Sequence, residues 1–286
     1  MEVVPSRSRL DRVYLFAFVG VAAIQLSAAI IQLITSATVP GATVLASAFV
    51  VACMLRTHGL SGTMSFVGLV IAIPFASEFL GVLTGVPYGA YAYLQAPGPY
   101  VLGLVPVFIF IAWILVGYLA IATTTAALGR STLWLAPVDG LVATAWDLLV
   151  DPVAVRSQFW TWLSPATLYG VPLSNFLGWF LIVTGLSAAT RWMWARDVRA
   201  PAQMPRAILT IVPGVLLTSA LQFGILSTAY GFFVTALIGL GIVLPVVGLA
   251  WRRLALMPRE LFAPNLWSPA TAAANARRIA QEDDRA

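Results

Sequence analysis

Long apolar runs, interrupted by short clusters of Arg, Pro and Gly, set the pattern of this chain. They fall at about residues 13–35, 40–55, 60–83, 102–128, 132–151, 172–191, 207–227 and 230–250. Most approach or exceed the roughly 20 apolar residues that a helix needs to cross a hydrocarbon core of about 30 Å. They do not alternate apolar with polar over segments of about ten residues, as a membrane β-barrel requires, so strands are not expected. The pattern predicts an all-α, polytopic transmembrane helical bundle. It has eight helices, or seven if the last two runs, separated by little more than Ser227 to Tyr230, are one. Residues 1–256 read as a single integral-membrane domain and residues 257–286 as a polar, Ala-rich tail.

Composition agrees with that reading. Of 286 residues, 60% are hydrophobic and 9% charged, which is too little charge to keep a soluble domain dispersed. The net charge of +5 comes from 16 basic residues, all Arg, and could suggest a nucleic-acid surface. In a membrane chain it reads instead as topology, because cytoplasmic loops collect positive charge. With the N-terminus inside, Arg7, Arg9, Arg12, Arg56, Arg130, Arg191, Arg196, Arg199, Arg206 and the arginines after Trp251 share one face; only Arg156 falls on the other. Both termini are therefore expected in the cytoplasm, the chain is expected to be a multi-pass protein of the cell membrane, and connections 84–101 and 152–171 are expected to face outward. The first run is long for a signal-peptide core and reads as a retained span. The lone Cys53 excludes an intramolecular disulfide. His58, in a short polar break, reads as a helix-end residue.

Four acids stand in or beside these apolar runs: Glu78, Asp139, Asp147 and Asp151. A central Asp in a membrane helix costs about 3 kcal/mol, so it faces a bundle interior or wet cavity and marks a functional candidate. At about 100° per residue, Asp147 lies some 80° round from Asp139 and Asp151 about 40° further, so all three can share one face, with Asp139 about 12 Å deeper toward the cytoplasm. Glu78 reaches a depth similar to Asp147, and Asn175 can join them. A polar cluster that locks helices together is the bland alternative. Few arginines are expected near these acids. A carboxyl buried without a compensating charge keeps its proton and can act as a general acid. The outward connections add Tyr88, Tyr91, Tyr93 and Tyr100, then Phe159, Trp160, Trp162 and Tyr169. Such aromatics form interface belts, but together with Trp146 their π faces could also stabilise a cation. No metal site is assigned.

The order Glu78, Gly81, Gly85 to Tyr93 (GVPYGAYAY), Asp139, Trp146-Asp147, Asp151-Pro152, Trp160, Trp162 and Tyr169 to Trp179 (YGVPLSNFLGW) resembles the CruF-type carotenoid biosynthesis family over residues 60–250. The resemblance implies an integral-membrane hydratase that works without a cofactor and adds water across the terminal C1',C2' double bond of an acyclic carotenoid end group, giving a tertiary alcohol. On that reading Asp147 or Glu78 protonates the alkene, Asp139 or Asp151 guides water with Asn175, and Tyr88, Tyr91, Tyr93, Trp146, Trp160 and Trp162 bind the substrate. The partners expected are the polyene, water, membrane lipid and other carotenoid-pathway enzymes, with no nucleic acid. Two rival classes are a UbiA-like prenyltransferase, for which Asp147 and Asp151 form an Asp-x-x-x-Asp pair without a second Asp-rich motif, and a proton-coupled transporter. A retinal protein is excluded in its ordinary form because the chain has no Lys.

Overall fold

The computed structural model describes residues 9–129, 132–195 and 206–256. Its helices are α1 (Arg9–Thr35), α2 (Pro40–Val70), α3 (Ala76–Thr84), α4 (Val107–Leu128), α5 (Ala136–Arg156), α6 (Leu173–Trp194), α7 (Arg206–Ala229) and α8 (Phe233–Leu256). A π-helical turn, Ile71–Phe75, joins α2 to α3, and a 3-10 turn, Leu133–Leu135, leads into α5. Among the described residues seven helices are long and apolar enough to cross a membrane, with Pro40–Thr84 counted as one run of 45 residues. The described residues are thus nearly all helical, in keeping with a membrane bundle.

The helices expected at 40–55 and 60–83 follow one another with almost no connecting loop. The join is Gly59, with φ 66° and ψ −175°, a positive φ that glycine adopts without steric cost. A straight helix of this length would extend about 67 Å. Yet Pro40 and Thr43 at its start line the same cavity as Glu78 near its end, so the run folds back at Gly59. The last two runs, by contrast, form distinct helices, parted at Gly231 with φ 82°. The tail from 257 and the loop arginines Arg7, Arg130, Arg196 and Arg199 lie outside the described residues.

Strands do form, contrary to the reading from hydropathy. β1 (Tyr91–Tyr93) pairs antiparallel with β4 (Trp160–Trp162), in the register Tyr91 to Trp162 and Tyr93 to Trp160. β2 (Tyr100–Val101) pairs with β3 (Val105–Pro106), which delays the start of α4 to Val107. These segments are two or three residues long, too short to leave a hydropathy signal, and they lie in the connections rather than in the apolar runs.

Close helix approach depends on small residues, which let backbones meet where no hydrophobic effect drives association. A Cβ on Gly140 of α5 would stand 2.7 Å from the Phe180 carbonyl of α6. One on Gly239 of α8 would meet the Ala145 carbonyl of α5 at 2.7 Å. So α5, the carrier of three acids, is held tightly on two sides. The C-terminal ends of α1, α5 and α7, the N-terminal ends of α2, α4 and α6 and the first turn of α3 all contribute to one cavity, which puts the start of α1 at the opposite end of the bundle.

Candidate active site

Glu78 owes its position to the π-helical turn. Pro74 within that turn has no N–H to donate and would crowd the carbonyl four residues back in a regular helix; the wider turn accommodates it, and Ser77 Oγ donates to the Pro74 carbonyl or to Tyr88 Oη, each at 2.6 Å. One residue on, the Glu78 carboxyl faces inward and accepts three hydrogen bonds: Tyr91 at 2.5 Å and Tyr93 at 2.7 Å on Oε2, and Trp113 Nε1 at 2.9 Å on Oε1. The period of two in β1 carries Tyr91 and Tyr93 to the same face, which is why both reach one carboxyl oxygen. Tyr88 is packed beneath them, where a Cβ on either Gly81 or Gly178 would come within 2.8 Å of its ring. The phenols of Tyr88, Tyr91 and Tyr93 are all pushed above the ordinary value, first by burial and next by the Glu78 charge, so they remain donors.

On α5, Asp147 and Asp151 are one turn apart on one face. Asn175, in the first turn of α6, spans them: its Nδ2 donates to Asp147 Oδ2 at 3.0 Å and to Asp151 Oδ2 at 2.5 Å. Asp147 is completely buried, yet its Oδ1 makes no hydrogen bond. Pro152 follows at once and interrupts the helix ladder; Ser227 Oγ of α7 donates to the nearby Leu149 carbonyl at 2.9 Å, the kind of outside partner that lets membrane helices carry proline.

Asp147, Asp151 and Glu78 open onto one cavity with a void, counted with its mouth, of about 970 Å³. Its walls are aromatic. Trp146, Trp160, Trp162, Tyr88, Tyr91 and Tyr93 all line it, as do Trp113 and Trp179, whose rings stack at 3.9 Å. Among the described residues no Arg, Lys or His takes part. Among the described residues no group of three or more His, Cys, Asp or Glu is arranged to hold a metal ion. A deep, unsaturated or hydrocarbon ligand suits such walls; a diphosphate, which wants cationic side chains, does not.

A family model described as "Carotenoid biosynthesis protein" matches residues 38–246. The chain belongs to the carotenoid biosynthesis protein family. The matched span contains every wall residue named above. This family member is also 36% identical, over 120 residues, to the bisanhydrobacterioruberin hydratase of Haloarcula japonica, and the aligned part covers 37% of each chain. No solved structure matches it.

Of the residues expected in the site, the fold of this family member brings together Glu78, Asp147, Asp151, Asn175 and all six aromatics. Asp139 is apart. It does not line the cavity but pairs with Arg191 of α6, whose Nε and Nη2 donate to its two oxygens at 2.8 and 3.0 Å. The hydroxyls of Thr124 and Ser187 donate to it as well. The expectation that Asp139 joins the other acids without a cation is corrected here: Arg191, assigned from sequence to the charged end of helix six, turns back into the bundle. Trp113, Trp179 and Gln222 are cavity residues that sequence reasoning missed. Trp113 is embedded in a uniformly apolar run and nothing around it marks its N–H for Glu78; Trp179 closes the YGVPLSNFLGW stretch and was visible only there.

Proposed function

We propose that the chain is a hydratase of linear carotenoid end groups, adding water across the terminal C1',C2' double bond, and that Asp147 is the acid. The observation that carries this is the bare Oδ1 of a fully buried Asp147 on the wall of an aromatic cavity without cations. Asp147 and Asp151 share one amide, and like charges so close do not both ionise readily, so the pair holds one proton. Asp147 gives that proton to C2', the C1' cation forms against the surrounding π faces, and water attacks C1' while releasing a proton to Asp151. One water is consumed, and proton exchange within the pair restores the start. Glu78, already saturated by three donors, acts as the negative charge that faces the cation.

The membrane arrangement is part of the same proposal. The run Pro40–Thr84 crosses twice by folding back at Gly59, giving eight crossings of the cell membrane with both termini cytoplasmic and the cavity toward the outer face. The polyene then lies among lipid with one end group in the cavity. Against the rivals, the described wall of the cavity offers no cation to a diphosphate, and Asp139, the acid of α5 farther from the cavity, is neutralised by Arg191 rather than free to relay a proton. The test is expression in hosts that accumulate lycopene or γ-carotene, with pigments resolved by chromatography and mass spectrometry. A product one water heavier supports the proposal; unchanged pigment with every such precursor rejects it.

A further inference from the structure

Resting on that hydratase reading, we infer that Gln222 of α7 holds the attacking water. The position of Gln222 is fixed from both sides. Ser219, one turn earlier, accepts the Trp146 indole N–H at 2.9 Å, and Phe223 meets the Trp146 ring edge-on at 5.8 Å. This stretch of α7 is therefore clamped to the residue next to Asp147. Gln222 is only 4% exposed and lines the cavity, and its amide makes no hydrogen bond to any described residue. Leaving a buried amide unpaired is costly, so such a group on the cavity wall is set for a polar ligand. The other amides of the cavity are already tied through their N–H groups: Gln32 donates to Ser157 at 3.1 Å, and Asn175 bridges the two aspartates.

A water with one hydrogen on Gln222 Oε1 and the other directed to the Asp147–Asp151 pair turns a lone pair toward the cavity space in between. When the C1' cation forms, the oxygen bonds to C1' and the proton passes to the Asp151 carboxylate. Without the amide the protonation step stands but capture fails, and the cation loses a proton from C2' or from a C1' methyl group, returning an alkene.

The experiment compares Gln222→Met and Gln222→Leu with the unaltered chain, at matched levels in membranes, supplied with lycopene in deuterated water. The expected result is hydration slowed about ten-fold or more, with deuterium appearing in the recovered alkene or its double-bond isomer. Hydration at the unaltered rate overturns the inference, and so does loss of hydration together with loss of deuterium uptake. Asp147→Asn loses both signals, which separates failure of the acid from failure of water capture. An unaltered chain that yields neither alcohol nor labelled alkene overturns the hydratase reading, and this inference with it.

Discussion

The two ends of α5 carry the same side chain in opposite settings. Asp139 is neutralised by Arg191 and wrapped by the hydroxyls of Thr124 and Ser187. Asp147, two turns on, has only half an amide and an oxygen with no partner. A buried ion pair whose hydrogen bonds are all made is a structural fixture, costly to break and idle chemically. A buried acid left incompletely satisfied beside a cavity is kept at a cost in stability, and it is the one that can exchange a proton with a ligand. Burial alone does not distinguish them; the partners do.

Breaking each end separately sharpens that contrast. The largest effect is expected from Asp147→Asn: about 10²- to 10⁴-fold loss of hydration, with thermal stability in detergent unchanged or raised, checked by pigment assay and by melting of the purified protein. Arg191→Met strands Asp139 and is expected to cost about 3–5 kcal/mol, seen as a lower melting temperature; the double change Arg191→Met with Asp139→Leu recovers most of it and retains activity. Gly81→Ala puts a Cβ 2.8 Å from the Tyr88 ring and 2.9 Å from Tyr91, and displacing both is expected to cost about 1–3 kcal/mol and to slow hydration without removing it. Tyr93→Phe deletes one of three donors to Glu78, for about 1 kcal/mol and a few-fold loss of rate. Alkaline pH should do least. The phenols of Tyr91 and Tyr93 are held above their ordinary value of 10.0 by burial and then by Glu78, so the donors to Glu78 persist as pH rises through 10.0 and are lost only above it. A rate that falls with an apparent pKa near 10.0 in the unaltered chain but not in Tyr93→Phe would contradict this.

Much of this was legible in the residues. The 3.6-residue period places Asp147 and Asp151 together, and an acid is conspicuous in an apolar run, so the carboxyl set was visible apart from its partners. The partners were not, because they depend on which helices touch. Arg191 looks like a topological charge until α6 packs on α5 at Gly140 and carries it to Asp139. Trp113 looks like one more apolar residue until β1 and the π-helical turn bring Glu78 across from it. The break between the second and third runs was visible at His58-Gly59, but not that a single glycine makes it, because hydropathy looks the same for a sharp kink and for a longer loop. β1 and β4 were read correctly as aromatic but not as paired, since their register depends on residues about 70 apart in sequence.

The most direct test of the central claim is the pigment made by Asp147→Asn beside the unaltered chain, at equal protein level in a lycopene-accumulating host. The account predicts an alcohol one water heavier from the unaltered chain and at most about 1% of it from the variant. Equal amounts from both would show that the bare oxygen of Asp147 is not the acid.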